Sequence, residues 1–332
     1  MIKTFLPALV LSCVCCSAAS AQFAPQVGLA GSTAIHKGSP DIKAWASSCT
    51  ILRGLQQIDN PSLGYTTLGD ASSALGTANG EVVSLGDSGV ATISFVQALY
   101  NGPGADFAVF ENAFQNPADK EEAFLELAFV EVSSDGKLFF RFPATSNTPT
   151  ATQIKGAGDY MNARLINNLA GKYVSQYGTP FDLEELKGTE GLDVDHITHI
   201  RIIDVIGSVG SAGSKDQLGQ PINDPYPTPF GTGGFDLDAV AAIHMSGTGI
   251  SSTGTETASI FPNPASDEVH ITLPVVTAPA TLALCDLSGK VILRQEALIK
   301  NIIPISGLQS GLYLVGIIEV TGIQWIGKCS KI

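Results

Sequence analysis

Phe124-Leu125-Glu126-Leu127-Ala128-Phe129-Val130-Glu131-Val132, then Ser134-Asp135-Gly136, then Leu138-Phe139-Phe140-Arg141-Phe142 is the stretch that settles the fold class. Two apolar, β-prone arms flank an Asp-Gly pair suited to the positive φ angles that a tight turn demands, so the spacing predicts a hairpin. The same grammar recurs on both sides. Val83 to Leu85, Gly86-Asp87-Ser88-Gly89 and Val90 to Phe95 read as strand, turn, strand. Asp106 to Glu111 is a short strand entered from Asn101-Gly102-Pro103-Gly104, and His199 to Gly207 and Gly234 to His244 are two more. Only Met161 to Ala170 and Asp182 to Lys187 read as short helices, the second capped by Asp182. Many short strands with Gly, Asn, Pro and Asp between them predict an all-β chain, a jelly-roll-like β-sandwich over residues 22–245.

Chemistry concentrates in Gly233-Gly234-Phe235-Asp236-Leu237-Asp238-Ala239-Val240. The two-residue period of a strand places Asp236 and Asp238 on one face, about 7 Å apart. Two like charges on a strand otherwise built for a core need a positive partner or water. Outside the cell the natural candidate is Ca2+, a hard ion that takes about six to eight oxygens, expected here in a structural role. Asp106, Glu111, Asn112 and Asp204 are the further oxygen donors expected to join Asp236 and Asp238. The alternative is that these carboxylates cap turns, pair with Arg141 or Arg201, or face solvent. Asp224-Pro225-Tyr226-Pro227-Thr228-Pro229-Phe230 adds a stiff loop whose Tyr226 and Phe230 suit stacking on a sugar ring, or else cover the end of a sandwich.

Charge narrows the partners. Residues 22–258 hold 26 of the 31 acidic and 12 of the 18 basic residues, a net charge of −14. Such a field repels nucleic acid and anionic membranes and draws cations. Cys49 is the lone cysteine of this region and sits in an apolar setting, so it reads as inert core; Cys285 and Cys329 read as two separately buried residues rather than a bridge.

The two ends of the chain carry an address. Lys3, the apolar run Phe5 to Cys16 and Ala19-Ser20-Ala21 read as a signal peptide over 1–21, too short for a membrane span of about 20 apolar residues. Neither Cys13 nor Cys16 follows a good lipobox, and no other stretch reads as a transmembrane segment. Residues 246–258 are rich in Gly, Ser and Thr and read as a flexible linker. Beyond it, Ser259-Ile260-Phe261-Pro262-Asn263-Pro264-Ala265 is followed by three alternating apolar runs, Val269 to Leu273, Ala280 to Leu293 around Leu287-Ser288-Gly289-Lys290, and Gly311 to Val315, and then a short basic end. Residues 259–332 thereby resemble the type A C-terminal sorting domain of the type IX secretion system. The resemblance implies a small Ig-like β-sandwich, handling by the type IX machinery, and delivery through the periplasm, either secreted or to the outer-membrane cell surface.

Several passages of the region in front, namely Asp106 to Asn112, Leu125 to Gly136, Tyr177 to Leu183, Ile200 to Asp204, Asp224 to Phe230 and Gly234 to Val240, together resemble a family of bacterial cell-surface proteins without an assigned reaction. That implies a surface location and adds no mechanism. Enzyme signatures fail on their own terms. Gly86-Asp87-Ser88-Gly89 and Thr33-Ala34-Ile35-His36 echo trypsin-like motifs, but Val90 and Lys37 break them and the two lie too close in sequence for the two barrels such a triad bridges. His196 and His199 have a zinc-like spacing but no third ligand. The expectation is a secreted surface binding or adhesion protein with a calcium-stabilised β-sandwich and a glycan as candidate ligand. The competing expectation is a carboxylate-dependent hydrolase of extracellular polysaccharide, using a pair such as Glu126 with Glu131 or Glu111 with Asp236.

Overall fold

The computed structural model describes residues 22–246, 259–272, 281–287, 290–296, 300–319 and 322–332. The signal peptide expected over 1–21, and all of the expected linker except Ser246, lie outside the described residues. The chain divides into two compact units between residues 246 and 247. Both are built from strands, and the helical turns among the described residues are short 3-10 pieces such as Leu183–Leu186.

Two six-stranded antiparallel sheets make the sandwich of the first unit. One runs in the order Ile35–His36, Tyr177–Phe181, Phe107–Glu111, Asp236–Ala242, Ala44–Trp45, with Val83–Ser84 also paired to Asp236–Ala242. The other runs Phe140–Arg141, Ala128–Ser133, Ile197–Asp204, Val90–Leu99, Ser48–Leu52, with Leu169–Ala170 on the Ala128–Ser133 strand. Strand periodicity sends every second side chain inward. Phe107, Val109, Leu237 and Val240 of one sheet therefore share a core with Ile93, Val130, Ile200 and Ile202 of the other. From Val83 onward the longer strands fall alternately in the two sheets, which is the connectivity of a jelly roll.

The hairpin forms with Phe140 opposite Val132 and Arg141 opposite Glu131. Its turn is closed by Gly136 at φ 71°, and the Asp135 carboxylate accepts the Lys137 and Leu138 N–H groups at 2.8 and 2.9 Å. Its first arm is shorter than the sequence predicts. Glu122–Phe124 belongs to a separate three-stranded sheet with Met161–Asn162 and Phe114–Gln115, and Leu125 to Leu127 bridge the gap before Ala128.

Two further expectations change. Val83–Ser84 and Val90–Leu99 enter different sheets, so the Gly86 to Gly89 turn is a crossover between layers rather than a hairpin. Met161 to Ala170 is not a helix: it is three two-residue strands around a 3-10 turn capped by Asn162. Its apolar positions serve separate edges, Met161 against Ala123, Ile166 against Ser146 and Leu169 against Phe129, and Asn168 breaks the run at φ 52°. The Asp182 cap does form, over the single turn Leu183–Leu186.

The second unit is a smaller two-sheet sandwich. Ser259–Phe261, Glu268–Thr272 and Lys300–Pro304 form one sheet; Val291–Glu296, Thr281–Cys285, Gly311–Glu319 and Gly322–Lys331 form the other. Val269, Ile271, Leu284, Ile303 and Val315 fill its core. Cys285 and Cys329 are both buried and free, on strands that flank Gly311–Glu319 from opposite sides.

Candidate functional site, an acidic pocket walled by phenylalanines

One end of the sandwich in the first unit is closed by carboxylates instead of apolar side chains. Glu111 ends its strand on the side of Phe107 and Val109, and Asp204 ends its strand on the side of Ile200 and Ile202. Alternation therefore points both into the gap between the sheets. Asp236 opens the neighbouring strand. Glu126 arrives from the break before Ala128–Ser133, turned away from Leu125 and Leu127, which are both buried in an apolar cluster. Asp224 and Asp87 complete the group from adjoining loops, and all six carboxylates are buried.

Hydrogen bonding treats these carboxylates unequally. Asp204 accepts the Phe235 N–H at 2.6 Å and the Ser88 N–H at 3.2 Å. Asp236 accepts the Ser84 hydroxyl and, at 2.9 Å, the Asn112 amide. Asp224 takes the Leu127 N–H at 3.0 Å, and Asp87 takes the Ile58 N–H at 2.6 Å. Glu111 is only half served: Oε2 accepts the Ala113 N–H at 2.7 Å, while Oε1 is buried with no partner. Glu126, 8% exposed, is reached by no donor or base among the described residues.

The electrostatic result follows from burial and like charge. Glu111 is held well above the usual carboxylate range by burial and then by Asp236. Glu126 is raised by burial and then by Glu111, Asp236, Asp224 and Asp204 in turn. Burial raises Asp204 and Asp224 as well, and pushes Asp87 up to about 6. Arg141 and Arg201 bring no relief, because both pair with Glu131, at 2.9 and 3.5 Å.

Above this floor lies a cavity of about 330 Å³ whose lining includes Glu126, Asp236, Asn112, Phe114, Phe124, Phe230 and the exposed Lys155. The Phe114 and Phe124 rings stack at 5.1 Å, and Phe230 is 61% exposed.

The residues singled out in the sequence are thus divided. Glu111, Asn112, Asp204 and Asp236 meet at this end of the sandwich. Asp106 lies at the opposite end of its strand, where it accepts the Gly102 and Leu183 N–H groups at 2.7 and 2.6 Å and pairs with His244 Nδ1 at 2.7 Å. Asp238 occupies a bulge and accepts the Asn79 and Gly80 N–H groups at 3.0 and 3.2 Å. Both therefore cap turns. Among the described residues, no three Asp, Glu, His or Cys side chains are grouped as the ligands of an ion. Phe230 lines the cavity; Tyr226 is buried, its phenol pushed up to about 12 by burial and by Asp59. Glu126, Phe114 and Phe124 were not among the metal or ligand candidates, although a carboxylate alternating with Leu125 and Leu127 in an apolar run was a legible signal. Ser88 lies in the crossover turn at φ 61°, and His36 Nδ1 accepts the Gly38 N–H at 3.1 Å.

Comparison with known proteins bears on the second unit. Residues 259–329 match the family described as the secretion system C-terminal sorting domain. No curated protein matches the chain. Among solved structures, a β-glucuronidase from Ruminococcus gnavus is similar at 10% identity and a TM-score of 0.21, over 87% of this chain and 45% of the enzyme. A β-glucuronidase from Faecalibacterium prausnitzii is similar at 11% identity and a TM-score of 0.21, over 87% of this chain and 46% of the enzyme. The chain spans less than half the length of these enzymes, and a likeness so slight carries no argument about activity. The matched sequence and the small sandwich it folds into make residues 259–329 a type IX secretion C-terminal sorting domain, and the chain a cargo exported through the periplasm to the cell surface or the extracellular space.

Proposed function

We propose that the first unit is a cell-surface binding or adhesion module whose ligand site is the pocket between Phe114 and Phe230, stabilised by calcium at Glu111, Asn112 and Asp236. The observation that carries this reading is the buried, unpartnered Oε1 of Glu111 beside a second buried carboxylate. Leaving ionised groups inside a protein without counter-charge costs several kcal/mol each, so such a site is stable only if protons or a cation neutralise it. Calcium suits an all-oxygen set of two carboxylates and an amide, and it is a hard ion expected outside the cell.

A binding role is supported by the exposed Phe230 and Phe114 standing over polar groups, the usual composition of a small-ligand site. The competing hydrolase reading draws on one specific feature: Glu126 and Asp236 both open onto the same cavity. That reading requires one of them to act as an acid and the other as a base or nucleophile.

Thermal melts of the mature chain in calcium and in chelator test the proposal. A ligand present at about a hundred times its Kd adds about 2.7 kcal/mol to the folded state, so the midpoint should rise with calcium. An unchanged midpoint removes the ion. Release of reducing ends from polysaccharide by the native chain, lost in Glu126→Gln, would replace the binding role with the hydrolase.

A further inference from the structure

From the position of Glu126 we infer that the pocket recognises a positively charged ligand, specifically a saccharide carrying a free, protonated amine, with Glu126 as the group that receives it. This inference rests on the pocket being the ligand site. Its argument is one of charge. Glu126 is more than nine-tenths buried, lines the cavity, and is reached by no donor or base among the described residues. Around it stand Glu111, Asp236, Asp224 and Asp204, so burial and like charge oppose its ionisation, and a ligand that brings its own positive charge offsets that opposition. A neutral hydroxyl donor would satisfy the hydrogen bond and bring no counter-charge. An ammonium supplies both, and charge-assisted hydrogen bonds are about twice as strong as neutral ones.

The aromatic walls agree with the floor, and the one base among the described lining residues, Lys155, is exposed to water. Phe114, Phe124 and Phe230 offer ring faces that attract a cation and also stack on the apolar face of a sugar. A cavity of about 330 Å³ is at the small end of ligand sites and suits one or two rings rather than a length of polypeptide. The acidic excess of residues 22–258 draws cations from a distance.

The test compares two probes of equal length, a glucosamine trimer and an N-acetylglucosamine trimer, titrated calorimetrically into the mature chain in calcium-containing buffer. The glucosamine trimer is expected to bind about tenfold more tightly, and Glu126→Gln to reduce that preference to less than about twofold. Phe230→Ala, at an exposed position, should weaken both probes. Equal or tighter binding of the acetylated trimer by the native chain would sink the inference while leaving a binding module. Binding of a trilysine peptide but of neither trimer would show that the carrier is not a sugar, and would also sink it. Binding of none of these probes would remove the pocket as a ligand site for either purpose.

Discussion

Asn112 donates its side-chain amide to Asp236 across 2.9 Å, joining the residue just past the Phe107–Glu111 strand to the first residue of the strand beside it. That bond, with the Ser84 hydroxyl, satisfies Asp236 but leaves Glu111 Oε1 beside it with nothing to bind. Glu111→Gln replaces a buried acid by a neutral amide of the same volume, which can donate to Asp236. In chelator the variant is expected to be more stable than the native chain by about 1–3 kcal/mol, the cost of an unmet buried polar group. In calcium the gain from the ion should be lost. Urea unfolding under both conditions measures this; a variant weakened in chelator and still responsive to calcium would contradict the site.

Gly171 tests the support behind Glu126. It holds φ 83°, and a Cβ there would stand 1.8 Å from the Glu126 carbonyl oxygen. Gly171→Ala therefore has to displace the backbone that presents Glu126, besides occupying a conformation that alanine disfavours. A loss of more than about 2 kcal/mol is expected in urea unfolding. Gly188, at φ 82° with open space around it, is the control, and its alanine variant should lose only about 1 kcal/mol. Equal losses at the two positions would show that the Glu126 backbone tolerates movement.

Part of this site was legible in the sequence and part was not, for identifiable reasons. Asp236 and Glu111 stood out because a carboxylate in an apolar strand needs an explanation. Asp106 and Asp238 looked the same, yet they answer to backbone N–H groups brought from far along the chain, Leu183 in one case and Asn79 and Gly80 in the other. Such distant loops leave no mark on local pattern. The hairpin was readable because its turn chemistry is local, whereas Met161 to Ala170 misled because its apolar spacing fits a helix while its real partners are three separate strand edges. Tyr226 and Phe230 lie in one proline-rich loop, and only the packing decides that one is buried and the other exposed.

Lys172 gives a pH signature of its own. It is 4% exposed, it lies 5.9 Å from the Phe23 ring centre and 5.6 Å from that of Tyr173, and burial lowers it from 10.5 to about 8. Between these two values the unfolded chain binds the proton that the folded chain has released, so this residue makes stability rise with pH across that window. Below about 8 its cost is constant. Lys172→Met should raise stability at pH 7 by roughly 2–3 kcal/mol and leave a shallower rise between pH 8 and 10.5. Urea unfolding at several pH values decides; parallel curves for the native and variant chains would mean that the ammonium is not desolvated.

The division of the chain into cargo and address makes the last prediction. The core of the first unit draws on residues such as Ile93, Phe107, Ile202 and Leu237, and that of the second on Val269, Leu284 and Val315, so each set of apolar side chains is buried within its own unit. Removing residues 259–332 takes no side chain out of the first core and takes away the whole match to the sorting family. The shortened chain is therefore expected to keep its melting midpoint and its calcium response to within the usual ±0.5 kcal/mol of a change outside the core. It should also accumulate in the periplasm, with none at the surface. Fractionation and melts on the same preparation separate the two claims: a shortened chain found outside the cell would show that export does not need the second unit, and a lowered midpoint would show that the first unit depends on it for stability.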